Sequence, residues 1–220
     1  MVYQTSERTS KRMRGDMRIG PHSHDMMSIF NGVLLGESQA ERRRSGQGVR
    51  LSMSQESHHG EYLLWLHAQI NNRGYCNPVP PKIQTRLCTG GKRRYMFRFH
   101  TFTYSSLSSL YSAWYTNNIK HIPKNIAEYI TPLALAIWVI GDGVRVGKGL
   151  SLSTNSFTDQ DCTRLTQVLY DLYNVKSSVE SGPRRYKINI WAESMFDLRS
   201  VVRPHMVSSI LYKLGESSTV

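Results

Sequence analysis

Two apolar stretches that each end in a small-residue acidic turn constrain this chain more than anything else in it: Ile29-Phe30-Asn31-Gly32-Val33-Leu34-Leu35-Gly36-Glu37-Ser38 and Leu135-Ala136-Ile137-Trp138-Val139-Ile140-Gly141-Asp142-Gly143. Their recurrence reads as a duplication. Each predicts a buried helix that delivers one carboxylate just past its end, and its glycine lets a second backbone come close. Packing the two helices together would bring Glu37 and Asp142 to one point. Two carboxylates at one point bind a divalent metal.

Composition narrows the partners. At 220 residues with 40% hydrophobic content, the chain suffices for one large domain or two fused small ones with a real core. Its 28 Lys and Arg against 16 Asp and Glu leave a formal charge of +12, a standing attraction for polyanions that puts nucleic acid first. No apolar run nears the ~18 residues of a membrane span, and no Lys/Arg-rich amphipathic helix marks a membrane-surface protein. Cys76, Cys88 and Cys162 are odd in number and widely spaced, which writes neither a disulfide framework nor a zinc site and fits a reducing compartment. Residues 1–17 read as a basic flexible arm and 215–220 as a tail.

The pattern between them predicts matching halves. In the first, a helix over about 25–36 is followed by a basic turn at 41–48 and an alternating strand at 49–55, with Val49, Leu51 and Met53 on one face and Arg50, Ser52 and Ser54 on the other. A helix over 58–72, strands 83–88 and 94–100 around a glycine hairpin, and a helix over 105–115 complete it. In the second, a helix over 131–141, short strands near 144–145 and 150–153, and a helix over 158–173 capped by Thr158 follow the same order. Strands 176–180 and 185–191 and a closing helix near 193–202 end it. The halves span 18–117 and 129–214, joined by a linker at 118–128.

In each sheet a hydrophobic face alternates with one rich in Arg, Lys, Ser, Thr, Asn and Gln. A strand rises about 3.3 Å per residue, so such a face can follow a duplex major groove and read base edges. The candidates for nucleic-acid contact are Arg42, Arg43, Arg44, Arg50, Arg86, Lys92, Arg93, Arg94 and Arg98 in the first half. Arg145, Lys148, Arg184, Arg185 and Lys187 are those of the second. Any one of them could be merely the solvated side of a sheet. The four tryptophans, Trp65, Trp114, Trp138 and Trp191, have apolar neighbours and read as core. His58 and His59 beside Glu56 and Glu61 lack metal-ligand spacing.

At this point the residues resemble a family. Tyr129-Ile130-Thr131-Pro132-Leu133-Ala134-Leu135-Ala136-Ile137-Trp138-Val139-Ile140-Gly141-Asp142-Gly143, followed by Ser153-Thr154-Asn155-Ser156-Phe157-Thr158, is similar to the second motif of the LAGLIDADG homing endonucleases, in their monomeric two-repeat branch from organellar introns. The resemblance implies an α+β fold of two pseudo-twofold αββαββα repeats with antiparallel, saddle-shaped sheets astride double-stranded DNA. It implies a monomer that hydrolyses both strands at a long asymmetric target, with Glu37 and Asp142 holding Mg²⁺, or Mn²⁺, at the scissile phosphates. Lys120 and Lys213 match its active-centre lysines, and Gln55 and Asn155 are candidates for ordering water. The first motif departs from the pattern, since Gly36-Glu37-Ser38-Gln39 carries glutamate where relatives carry aspartate. A mitochondrial location is implied, with the chloroplast as alternative. The rival reading is an RNA-binding intron maturase, or a domesticated organellar RNA-associated protein, that binds host intron RNA without cutting.

Overall fold

The computed structural model describes residues 13–42, 48–182 and 185–215. Arg43, Arg44 and Arg184, most of the arm and most of the tail lie outside these residues.

Helix α1 (His24–Leu35) and helix α4 (Pro132–Asp142) pack side by side at the centre. Both are buried on nearly every side, as a helix with no polar stripe must be. Ser23 caps α1 by accepting from the Met26 N–H at 3.2 Å, and Thr131 caps α4 by accepting from Ala134 at 3.1 Å, with Pro132 in the first turn. The approach is closest on the α1 side. A Cβ on Gly32 would lie 2.6 Å from the Ala134 carbonyl oxygen, so only glycine fits there.

Each central helix leads into a four-stranded antiparallel sheet. The first comprises β1 (Gln39–Arg42), β2 (Val49–Glu56), β3 (Ile83–Leu87) and β4 (Arg93–His100) in the order β1-β2-β4-β3. Helix α2 (Gly60–Asn71) joins β2 to β3, and α3 (Ser108–Trp114) follows β4. The chain then makes a short hairpin of β5 (Tyr115–Thr116) and β6 (Ile119–Lys120). The second sheet comprises β7 (Gly143–Val146), β8 (Gly149–Ser153), β9 (Ser177–Ser181) and β10 (Tyr186–Ile190) in the order β7-β8-β10-β9. Helix α5 (Asp159–Tyr173) lies between β8 and β9 and α6 (Met195–Val202) after β10. Thr158 caps α5 in a reciprocal capping box with Asp161.

The sheets turn one face to the helices. Val49, Leu51 and Met53 in β2 and Leu150 and Leu152 in β8 are fully buried, and one apolar core runs through both halves. Of the helices among the described residues, none is long and apolar enough to cross a membrane.

Three expectations change. Glu41 and Arg42, expected in a turn, end strand β1, because Gln39–Arg42 pairs with Val49–Ser52. The linker begins as structure, with Asn117 and Asn118 at φ of 52° and 62° making the tight turn of the β5-β6 hairpin. Trp191 is not core: it is 46% exposed and its indole N–H donates to the Ser178 hydroxyl at 3.2 Å.

Candidate active site

The two acidic turns meet where α1 and α4 end. Gly36 lies so tight against Asp142 that a Cβ there would be 1.9 Å from Oδ2. The Glu37 N–H donates to the Asp142 carboxylate, and both acids line one cleft with Gln55 and Tyr62. Their surroundings differ. Glu37 is exposed, whereas Asp142 is half-buried. The Asp142 carboxyl is pushed up to about 7, first by burial and then by the Glu37 charge, against the pull of Lys120 and Lys213.

Each half reaches across to the other's acidic turn. Asn155, just past β8, donates to Glu37 Oε1 at 2.8 Å. Gln55, near the end of β2, donates to the Gly141 carbonyl at 3.3 Å. The β5-β6 hairpin carries Lys120 beneath the first turn, where Nζ donates to the Gly36 and Ser38 carbonyls at 2.7 and 2.9 Å. Its ammonium is pushed down to about 7 by burial, although Asp142 and Glu37 favour its charge. Lys213, in the 3₁₀ turn Ser208–Leu214, is buried and donates to the Ile140 carbonyl. Burial lowers it too, opposed by Asp142. All six residues expected at the centre converge there.

Tyr62 of α2 joins them without having been expected. Burial first, then the Asp142 charge, raises its phenol, and its ring covers Gly141. In the sequence it was one apolar position of an amphipathic helix, and no signal separated it from its neighbours.

The donor set fits a hard divalent cation. Both acids offer carboxylate oxygens only, and among the described residues no group of three or more His, Cys, Asp or Glu forms a metal cage. Mg²⁺ is commonly held by one or two carboxylates plus phosphate oxygens and water.

The cationic residues divide by strand register. Arg50, Arg86, Arg94 and Arg98 share the open face of the first sheet with Ser52, Ser54 and His100. Arg50 is held by Glu41 at 2.6 Å and Arg94 by Glu56 at 3.4 Å. Arg42 falls on the opposite face, over the Tyr111 ring at 4.6 Å, and Arg93 also faces away, opposite Leu87. In the second sheet Lys187 lies on the open face, which strand alternation extends to Arg185. Arg145 points to the other side, against Gly215. Lys92 and Lys148 are exposed at turns.

Paired helices that deliver two carboxylates beneath two open antiparallel sheets define a duplicated, acid-centred fold class. The chain belongs to the LAGLIDADG DNA endonuclease family, whose model matches residues 27–198. It is 43% identical over 206 residues to a protein named cytochrome b mRNA maturase bI2 of Saccharomyces cerevisiae, covering 90% of this chain and 49% of that one. It is 41% identical over 197 residues to the maturase bI2 of Debaryomyces hansenii, covering 89% of this chain and 75% of that one. The chain thus spans about half the length of the yeast relative. The structure superposes on the homing endonuclease I-WcaI bound to its DNA recognition sequence with a TM-score of 0.77 at 20% identity, over 87% of this chain and 86% of that one.

Proposed function

We propose that this chain is a site-specific, metal-dependent DNA endonuclease, acting as a monomer whose repeats are residues 18–117 and 129–214. The observation that carries the reading is the Glu37–Asp142 pair, held in contact by the Glu37 N–H, in which burial and the Glu37 charge raise the proton affinity of Asp142. Such a pair is relieved by a cation. A bound Mg²⁺ or Mn²⁺ would lower the pKa of a coordinated water and offset charge developing at phosphorus. Glu37 and Asp142 would hold it, with Asn155 fixing the glutamate's orientation. Lys120 spends two of its three N–H donors on carbonyls and keeps the third for a phosphate oxygen or water. Lys213 pins the end of α4, which keeps Asp142 in register. The open-face arginines of the first sheet, with Lys187 and Arg185 of the second, would carry the duplex.

The names of two relatives support a second reading, a maturase that binds intron RNA, and their reference to cytochrome b mRNA supports a mitochondrial setting. The glutamate at position 37 keeps the carboxylate but moves it one methylene outward. The test is Mg²⁺-dependent cleavage of a pooled library of intronless organellar gene junctions by the unaltered chain, Glu37→Asp and Asp142→Asn. Defined double-strand products from the unaltered chain that vanish in Asp142→Asn are the expected result. Products from Glu37→Asp alone mean a DNA binder with a disabled first acid. No cutting and no retained DNA with any form would favour the maturase.

A further inference from the structure

The first half carries a feature that the repeat does not require. Eleven residues, 72–82, join α2 to β3, whereas three, 174–176, join α5 to β9. Four residues, 101–104, follow β4 before the next 3₁₀ turn, whereas Trp191 alone follows β10. The extra chain folds over the end of the first sheet, where a bridge between Cys76 and Thr101 replaces the missing length of β3. Residues 13–18 close over it. The Arg18 carbonyl accepts from the Ser105 N–H at 3.0 Å, and Gly15 packs against Thr103.

Between these segments lies a cavity of about 750 Å³, within the range of small-molecule sites. Its lining includes Arg14, Arg18, Arg50, Arg98 and His100. The His100 Nδ1 is buried and has no hydrogen-bond partner. The Arg18 guanidinium stacks 4.6 Å over the Phe102 ring, which fixes a flat cationic surface in the wall. Asn77 and Thr103 add amide and hydroxyl groups.

We propose that this cavity is a subsite for an unpaired nucleotide of a single strand, the arginines holding its phosphate and the Arg18–Phe102 stack supporting its base. A duplex carried by the open face meets Arg50 and Arg98 at the rim of this half-open cavity, whereas Arg18 and Phe102 lie away from strands β2 and β4. The bases of a duplex, stacked on one another, offer no free face that enters there. Unpaired nucleotides in loops and bulges do, and they are bound by stacking on aromatic or guanidinium planes with side chains on the base edge. Both RNA loops and displaced DNA strands supply this chemistry.

The test measures anisotropy of short fluorescein-labelled single strands, one of RNA and one of DNA, and of a duplex, with the full chain. Two variants separate charge from volume. Arg14→Ala/Arg18→Ala removes the cations that residues 13–18 bring, and Val79→Trp fills the cavity from a side chain that is 63% exposed. The expected result is a loss of about tenfold or more in single-strand affinity with both variants, with duplex affinity within twofold and unchanged melting temperature. Arg18→Lys should restore the phosphate contact but not the stack, giving partial recovery against Arg18→Ala. Loss confined to the RNA strand assigns the site to RNA, and equal loss on both strands assigns it to unpaired nucleotides of either sugar. Unchanged single-strand affinity in Val79→Trp, or parallel losses on strand and duplex, overturns the proposal. No readout depends on cleavage, so a chain that fails to cut DNA leaves this result interpretable.

Discussion

The two acidic turns are alike in sequence and unlike in setting. The α4 end is enclosed: Asp142 is half-buried, and its carboxyl is raised toward neutrality by burial and by Glu37. The α1 end is open: Glu37 is exposed and is steadied by Asn155, a residue of the other half. The glycines are equally unequal. Gly36 is jammed against the Asp142 carboxylate, whereas Gly141 would set a Cβ 3.2 Å from the Tyr62 hydroxyl. A duplicated motif therefore yields a divided site, in which one acid is fixed by the core and the other by a single hydrogen bond.

Glycine substitutions break this comparison most severely. Gly36→Ala should displace the end of the Asp142 side chain while leaving the helices in place, and a shift of about 1 Å at a catalytic group costs ~100-fold in rate. Gly32→Ala meets backbone instead, and forcing the helices apart should cost about 1–3 kcal/mol of stability. Gly141→Ala should be mild in both respects. Cleavage rates and denaturant midpoints of the three variants separate these outcomes. Equal effects at Gly36 and Gly141 would contradict the asymmetry.

The pH dependence sharpens it. Asp142 titrates near 7 in the folded chain, against roughly 3.9 for an unfolded aspartate. Between those values the folded state holds the extra proton, so metal-free stability falls as pH rises from about 4 to 7. Lys120 runs the other way. Its folded value is near 7 against roughly 10.4 unfolded, so the unfolded state holds the extra proton and stability recovers as pH rises through that window. Melting temperature without metal should therefore pass through a minimum near neutrality. Asp142→Asn should flatten the falling limb and Lys120→Met the rising one, and a pH-independent melting temperature would refute both shifts. Added Mg²⁺ should raise the melting temperature more at pH 8 than at pH 6, because the proton no longer competes for Asp142.

Loosening the exposed acid is a smaller change. Asn155→Ala leaves Glu37 in place without its clamp, and about tenfold slower cutting with nicked intermediates building up is expected on a plasmid substrate. Linear product formed at the original rate would show that the clamp is idle. The smallest effects belong to the sheets. Arg98→Ala on the first open face and Lys187→Ala on the second should each lower the salt slope of duplex binding by about one, whereas Arg93→Ala and Arg145→Ala, on the opposite faces, should not.

Much of this architecture was legible because it rests on local patterns. Apolar stretches without a polar stripe could only be buried helices, and Val49, Leu51 and Met53 announced their face by alternation. Strand β1 was not legible, because four residues of mixed polarity become a strand only once β2 supplies hydrogen-bond partners. The Asn117–Asn118 turn carried its own signal, two residues suited to positive φ between short extended pairs, but it straddled the boundary between the first half and the stretch read as linker. Arg42, Arg93 and Arg145 were charges in the right segments, and register alone sent them to the other face.

The sequence by itself determined the two carboxylates, the duplication and the basic surplus, because residue type and periodicity are local properties of a chain. Only the tertiary structure decided that Glu37 stays open while Asp142 is half-buried, that Asn155 and Gln55 cross between halves, and that an extra basic cavity forms at the end of one sheet. Desolvation and register depend on what the rest of the chain brings alongside, and no short segment contains that information.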